Sequence, residues 1–252
     1  MMLGLPAHVT ACLFDLDGVL TQTARVHNAA WRTTFDEFLR RHAADADEPF
    51  QPFDPDEDYR RYVDGRPRYD GVRAFLASRD IVLPEGKPDD PPEADTVHGI
   101  GNCKNVRLLQ ELRTHGVEVY PGSVTYLRAV ADAGLRRAVV TASANGREVV
   151  AAAGLEPLLE TRVDGLVART EKLRGKPEPD TFLAGAERLG VVPGNAAVFE
   201  DALAGVAAGR AGDFGYVVGV DRVGQADALL AQGADIVVQD LAELIEKREP
   251  DA

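Results

Sequence analysis

The second half of the chain alternates short apolar runs with helix-like segments, and this alternation restricts the fold more than any other feature. The apolar runs predict buried strands over residues 137–141, 196–199, 216–220 and 235–238. Segments with helical spacing or rich in alanine predict helices over residues 123–132, 146–153, 181–189 and 202–211, with a further one between the last two strands. Strands that alternate with helices form a parallel sheet covered by helices on both faces. We therefore predict an α/β fold with a doubly wound, Rossmann-like parallel sheet.

The stretch from residue 23 to residue 116 has a different character, because no convincing strand occurs in it. Helices are predicted there over residues 27–41, 71–78 and 104–112. Two acidic, proline-containing segments, 45–58 and 83–95, separate these helices and are predicted to be solvated loops. We therefore expect residues 1–22 and 117–252 to form the sheet domain, with a helical domain inserted at 23–116.

Composition narrows the range of functions and locations. The chain has 252 residues, of which 45% are hydrophobic and 27% charged, as in ordinary globular proteins. Its net charge of -13 argues against general binding to nucleic acids or to anionic membranes. Two cysteines make no disulfide framework, and neither a membrane-length apolar run nor a signal peptide is recognisable. A cytoplasmic location is the resulting expectation; the oligomeric state stays open, and a monomer is compatible with the sequence.

Two aspartates follow the first apolar run, which covers residues 12–14, in the sequence Asp15-Leu16-Asp17-Gly18. Side chains at positions i and i+2 of a strand point to the same side, so Asp15 and Asp17 are expected to face one site. Carboxylates this close repel each other unless a cation compensates, which suits a metal-assisted nucleophile beside a general acid/base. A calcium-binding loop of EF-hand type would need a glutamate about seven residues after the glycine. Arg25 stands there instead.

Three further segments bring polar side chains to the same predicted edge of the sheet. They contain Thr141 followed by Ser143 and Asn145, Lys176, and the pair Glu200-Asp201. Taken singly, the hydroxyls and carboxylates could merely cap helices, and the lysine could be a solvated loop residue. Taken together, they supply what phosphoryl transfer needs: carboxylates for a metal ion, and a hydroxyl and an ammonium for the phosphate oxygens.

These motifs resemble those of the haloacid dehalogenase (HAD) superfamily of phosphotransferases. Asp15-Leu-Asp17-Gly, Thr141, Lys176-Pro and Glu200-Asp201 stand in the order of the four superfamily motifs. The finer resemblance is to the beta-phosphoglucomutases, and it extends from Phe14 to Trp31 and through the runs Thr-Ala-Ser-x-Asn-Gly and Lys-Pro-x-Pro-Asp. This resemblance implies a Rossmann-like HAD core with an inserted helical cap.

The resemblance also implies roles for the residues of the core. Asp15 would be the nucleophile that forms an aspartyl-phosphate, and Asp17 the general acid/base. Asp15, the main-chain carbonyl of Asp17, and Asp201 would hold Mg²⁺, with Glu200 close by.

A second group of core residues would bind phosphate. Thr141, the amide of Ala142, and Lys176 would hold the reacting phosphate, whereas Ser143 and Asn145 would help with the distal one.

In the insert, the resemblance places Thr23 at the interdomain hinge, His27 near Asp17 or the sugar, and Arg68 and Lys104 at the distal phosphate. The alternatives are a solvated turn around Arg68 and a surface charge at Lys104.

The function implied is interconversion of beta-glucose 1-phosphate and glucose 6-phosphate, with a small-molecule sugar phosphate as the partner. Asp17 argues against dehalogenases and phosphonate hydrolases, which lack this second aspartate. Two departures from the family pattern, Ala144 in place of a lysine and a longer cap around residues 83–95, keep a sugar-phosphate phosphatase as the alternative. Arg147 could compensate for the missing lysine. A non-enzymatic sugar-phosphate sensor is a third, weaker possibility.

Overall fold

The computed structural model describes residues 3–47 and 49–246. The chain divides into two compact units. The core unit comprises the residues up to Gln22 and from Val117 onward, and the insert unit comprises Thr23–Gly116. Within the part of the chain that is described, no helix is both long and apolar enough to cross a bilayer.

A six-stranded, all-parallel sheet forms the centre of the core unit, which confirms the predicted fold class. Its strands are β1 (Ala11–Phe14), β2 (Arg136–Val140), β3 (Thr161–Val163), β4 (Ala196–Glu200), β5 (Tyr216–Val220) and β6 (Ile236–Val238). Their order in the sheet is β3-β2-β1-β4-β5-β6. Because β1 lies between β2 and β4, all four of its side chains are buried, and it reads as an uninterrupted apolar run.

Helices make up most of the regular structure in the insert unit. These are α1 (Thr23–Ala46), α2 (Arg68–Ser78) and α3 (Val97–His115), with a short π-helix at Tyr59–Val63. An aromatic cluster holds them together: the ring of Phe35 lies 5.0 Å from Trp31, 4.1 Å from Phe75 and 5.3 Å from Phe53. Phe53 belongs to a segment predicted to be a solvated loop, yet its side chain is buried in this cluster. That part of the loop prediction is wrong, because a single aromatic anchor outweighs the acidic composition around it.

Seven helices of the core unit follow in the described chain. They are α4 (Pro121–Asp132), α5 (Gly146–Ala152), α6 (Gly165–Glu171), α7 (Asp180–Leu189), α8 (Leu203–Ala211), α9 (Ala226–Ala231) and α10 (Glu243–Glu246). β3, α6 and α10 were not predicted from the sequence. Lys176, which was predicted to follow the end of a strand, lies in the loop between α6 and α7.

Candidate active site

The carboxyl ends of three neighbouring strands lie side by side and carry most of the predicted core residues. Phe14, the last residue of β1, is in register with Val139 of β2 and Phe199 of β4. Asp15 therefore follows directly at the edge where β2 leads into Thr141 and where β4 ends in Glu200. Open parallel sheets bind their ligands at this edge.

The side chain of Lys176 reaches this edge from its loop. Its Nζ donates hydrogen bonds to Asp15 Oδ1 and Glu200 Oε1, both at 2.5 Å, and to the carbonyl oxygen of Val140 at 3.2 Å. The lysine side chain is 1% exposed and that of Glu200 is fully buried. Burial lowers the pKa of Lys176, but the two carboxylates outweigh it and hold this pKa above its ordinary value. Lys176 is therefore a charged ammonium with all three donors engaged, and not a solvated loop lysine.

Asp15 stands in an environment that disfavours its own charge. Burial raises its pKa well above the ordinary value, the Lys176 ammonium opposes this, and the nearby carboxylates of Glu200 and Asp17 raise it further. A second cation at this carboxylate would lower its pKa and keep it ionised.

Three carboxylates provide a place for that cation. Asp15, Glu200 and Asp201 are buried, and each offers an oxygen within 4.8 Å of those of the other two. With Lys176 the group carries three negative charges and one positive charge when fully ionised, a net charge that a divalent ion balances. Hard oxygen donors of this kind suit Mg²⁺, Ca²⁺ or Mn²⁺. The residues present therefore fit a metal ion.

Glu200 differs from the other two acids in how its oxygens are used. Oε1 accepts from Lys176, and Oε2 accepts from the backbone N–H of Ala202 at 2.9 Å. This geometry makes Glu200 a partner that positions Lys176 and adds negative charge beside the carboxylate oxygens of Asp15 and Asp201.

Two glycines make room for these acids, and neither was predicted to have this role at the site. A Cβ atom at Gly18, whose φ is +96°, would lie 1.8 Å from Asp201 Oδ2. A Cβ atom at Gly205 would lie 1.8 Å from Glu200 Oε1. Gly18 was visible in the Asp-x-Asp-Gly motif, but nothing in the alanine-rich sequence of α8 distinguishes Gly205.

Asp17 and Thr141 meet directly. The Thr141 hydroxyl donates to Asp17 Oδ2 at 3.2 Å and accepts the N–H of Ser143 at 3.0 Å. The Ser143 hydroxyl in turn accepts the N–H of Asn145 at 3.2 Å. Both hydroxyls thus stabilise the turn after β2. The N-cap residue of α5 is Asn145, and its side chain makes no capping hydrogen bond.

The first residue of α6 contacts the turn that follows β2. The N–H of Gly165 donates to the carbonyl oxygen of Ser143 at 2.9 Å. A Cβ atom at Gly165 would lie 2.6 Å from the Ala142 carbonyl oxygen, so only glycine lets the two backbones approach this closely. Asp164 caps α6 by accepting the N–H groups of Leu166 and Val167. The backbone around Ala142 is consequently held in a fixed shape.

The insert unit brings two of its predicted residues together. Lys104, which is 4% exposed, places its Nζ 3.1 Å from His27 Nδ1 and 5.0 Å from the centre of the Trp31 ring. An ammonium can only donate, so a charged Lys104 pairs with the tautomer of His27 that accepts at Nδ1. Burial rules out the alternative of a solvated surface charge at Lys104.

The remaining predicted residues of the insert unit lie at helix starts. Arg68 is the first residue of α2, is half-buried, and donates from Nη1 to the Gly101 carbonyl oxygen at 3.4 Å. Its guanidinium carbon is 5.2 Å from the centre of the Tyr69 ring. Thr23 is the first residue of α1 and is buried.

Comparison with known proteins places the chain in a family. Residues 9–213 match the profile of the haloacid dehalogenase-like hydrolases. A beta-phosphoglucomutase of Mycobacterium tuberculosis is 57% identical over 97% of this chain and 94% of its own length. Hexitol phosphatase A of Escherichia coli is 27% identical over 94% of both chains. A solved structure described as a putative beta-phosphoglucomutase from Bacteroides vulgatus has the same fold: the TM-score is 0.72 at 22% identity, over 94% of this chain and 86% of that one. The site geometry and these similarities together show that the chain belongs to the haloacid dehalogenase-like hydrolase family and is an enzyme.

Proposed function

We propose that the protein is a Mg²⁺-dependent phosphotransferase that interconverts beta-D-glucose 1-phosphate and glucose 6-phosphate through an aspartyl-phosphate. The observation that carries this proposal is the buried cluster of Asp15, Lys176, Glu200 and Asp201 at the edge of the sheet. The identity of 57% to a beta-phosphoglucomutase over nearly the whole chain supports the choice of reaction and substrate.

Asp15 is the nucleophile in this proposal. Its carboxylate forms a bond to phosphorus as the bond from phosphorus to the ester oxygen breaks, and Asp17 gives its proton to that leaving oxygen. In the second half-reaction Asp17 takes the proton from the attacking hydroxyl of the sugar phosphate, which receives the phosphoryl group from Asp15. Thr141, the amide of Ala142, and Lys176 hold the oxygens of the group in transfer.

Mg²⁺, held by Asp15, Asp201 and the main-chain carbonyl of Asp17, would supply positive charge for the oxygens of the phosphoryl group. Two features of the chain favour such an ion: the raised pKa of Asp15 and the net negative charge of the carboxylate cluster. Glu200 lies beside these ligands and holds Lys176 in place.

We further propose that the core unit is the catalytic domain and that residues 23–116 form a cap that selects the substrate. Arg68 and Lys104 of the cap, with Ser143 and Asn145 of the core, would bind the distal phosphate, and His27 would contact the sugar or Asp17. Thr23 would serve as a hinge. Lys104 and His27 are already paired within the insert unit, which supports a shared role.

A product-resolved assay tests the proposal. The protein is incubated with beta-glucose 1-phosphate, Mg²⁺ and a trace of beta-glucose 1,6-bisphosphate, and glucose 6-phosphate and free phosphate are measured separately. We expect glucose 6-phosphate to accumulate with the wild type and no turnover with Asp15→Asn, which keeps the shape of the side chain but removes its nucleophilic charge. Stoichiometric release of free phosphate without glucose 6-phosphate would contradict the mutase reaction.

A sugar-phosphate phosphatase is the second candidate function, and two observations favour it. Ala144 stands where the family pattern has a lysine, and hexitol phosphatase A is similar over nearly the whole chain. Arg68→Ala separates the two functions. If the protein is a mutase, this variant loses isomerisation while it still hydrolyses small phosphoesters; if it is a phosphatase, wild type and variant release phosphate alike.

A further inference from the structure

The loop between β5 and α9, residues 221–225, has a closed and well-defined shape. The Oδ1 atom of Asp221 accepts the backbone N–H groups of Val223, Gly224 and Gln225 at 3.1, 2.7 and 2.9 Å. A carboxylate that accepts three successive N–H groups fixes the backbone around it. The loop can therefore serve as a rigid support for whatever its other side chains hold.

Arg222 of this loop is bound on several sides and is only 14% exposed. Its Nε donates to the Gly18 carbonyl oxygen at 2.9 Å, and its Nη2 lies 3.5 Å from the Val19 carbonyl oxygen. On the other side, Nη1 donates to the Gln239 carbonyl oxygen at 2.6 Å. The guanidinium carbon stacks 3.6 Å from the centre of the Tyr120 ring. A planar, always-charged fork held in this way fixes the backbone that follows Asp17.

Gln225, at the other end of the loop, contacts the backbone of one acid of the carboxylate cluster. Its Nε2 donates to the main-chain carbonyl of Asp201 at 3.0 Å, and its side chain is buried. Gly18 and Asp201 are also in close approach, as the absence of room for a Cβ atom at Gly18 shows. One loop thus binds two backbone segments, at Gly18 and at Asp201, that approach each other closely.

We propose that Arg222 is a positioning residue for the metal site, with Gln225 as its counterpart. Arg222 would hold the Asp17-Gly18 backbone, and Gln225 would hold Asp201, so that the ligands on these two segments keep a fixed separation. This inference rests on the proposed metal dependence. Mg²⁺ demands nearly ideal octahedral geometry at short distances, so a small displacement between the two segments weakens its binding.

The test measures Mg²⁺ binding directly by isothermal titration calorimetry on the protein without substrate, and in parallel the Mg²⁺ concentration that gives half-maximal activity. We expect Arg222→Gln to weaken Mg²⁺ binding about 10- to 100-fold, as loss of outer-shell partners does at other metal sites. At saturating Mg²⁺ the KM for the sugar phosphate should stay within about twofold of the wild-type value, because the phosphate ligands are untouched. Arg222→Lys, which can still donate to Gly18, should recover part of the loss.

Arg137 offers a matched control. Its side chain is 16% exposed, and its Nε donates to the Leu158 carbonyl oxygen at 2.8 Å, near the amino end of β2 and so at the opposite edge of the sheet. Arg137→Gln should lower the thermal midpoint while Mg²⁺ affinity stays at the wild-type value. This comparison separates a positioning role from a general loss of stability.

Gln225→Met is the second variant, since it keeps the side-chain volume but removes the donor to the main-chain carbonyl of Asp201. If Arg222→Gln does not fold, the Mg²⁺ affinity of Gln225→Met tests whether the loop positions the metal ligands. The inference is overturned if folded variants at both positions bind Mg²⁺ within about threefold of wild type. A wild type that binds Mg²⁺ but turns over no phosphoester refutes the proposed function alone, since binding still measures the positioning effect. A wild type that binds no Mg²⁺ overturns both.

Discussion

Lys176 is the basic side chain that contacts both Asp15 and Glu200, and its replacement by methionine tests the electrostatic description of the site. Methionine has a similar length, but it carries no charge and donates no hydrogen bond. Lys176→Met leaves the two carboxylates facing each other where the ammonium had been, with Glu200 fully buried. We expect this variant to be less stable than the wild type, and the deficit to depend on pH.

The magnitude follows from burial. An exposed ion pair contributes about 0–1 kcal/mol, whereas removal of one partner of a buried pair costs about 3–5 kcal/mol. Asp15 is 6% exposed, so it retains some access to water, and we expect the lower end of that range, about 3 kcal/mol. For a chain of this size such a loss lowers the thermal midpoint by about 6–12 °C.

The sign of the pH dependence follows from the same contacts. Burial already raises the pKa of Asp15, and Lys176 is the group that opposes this rise, so the variant raises that pKa further. A carboxyl whose pKa is higher in the folded state stabilises the fold when protonated, and this contribution is lost as the pH rises through the folded pKa. The pKa of Lys176 itself is raised, so in the wild type its contribution stays constant far above neutrality. The deficit should therefore be smaller at mildly acidic pH and grow towards mildly alkaline pH, as Asp15 ionises.

Differential scanning calorimetry without added metal measures both effects, and Lys172→Met, which removes an exposed lysine of the same loop region, is the control. The control should stay within about 0.5 kcal/mol of wild type at mildly acidic and at mildly alkaline pH. If Lys176→Met loses less than about 1 kcal/mol at mildly alkaline pH, or if its deficit does not grow with pH, the buried ion cluster does not behave as described.

Gly205→Ala places a methyl group 1.8 Å from Glu200 Oε1, and it should lower kcat by about tenfold or more and destabilise the fold by about 1–3 kcal/mol. Gly194→Ala, whose methyl group meets nothing within 4 Å, should be neutral. Equal activity of the two variants would contradict the role of Gly205. Burial raises the pKa of the Cys12 thiol, against a smaller opposing effect of Arg137, so a thiol reagent at mildly alkaline pH should modify the partly exposed Cys103 in the native protein and Cys12 only after unfolding. Early modification of Cys12 would argue against β1 as the central strand.

The sheet and the acids at its edge could be predicted from the sequence because two simple rules determine them. Strands buried on both faces read as apolar runs, and the carboxyl ends of parallel strands meet at one edge. Asp15, Thr141 and Glu200 could therefore be expected near one another before any coordinates were considered.

The missed features depend on information that short-range patterns do not contain. β3 has only the residues Thr161-Arg162-Val163, and as an edge strand it has no apolar run to reveal it. Lys176 reaches the site through the length of its side chain and not through its position at a strand end. The need for glycine at position 205 becomes apparent only once the direction of the Glu200 side chain is known. Arg222 and its partner Gly18 are 204 residues apart in the sequence.

The charges of the cluster also limit how a phosphate ester can enter the site. Asp15, Glu200 and Asp201 outweigh Lys176 by two charges when ionised, so the site alone repels a phosphate dianion. Protonation of Asp15, which its raised pKa favours, would relieve part of that repulsion but would remove the charge that its proposed role as nucleophile requires. A divalent cation resolves this conflict, because it neutralises the two excess charges and at the same time lowers the pKa of Asp15. In the proposed mechanism the metal would thus be a condition for combining an ionised Asp15 with an anionic substrate, and not only an aid to the transition state.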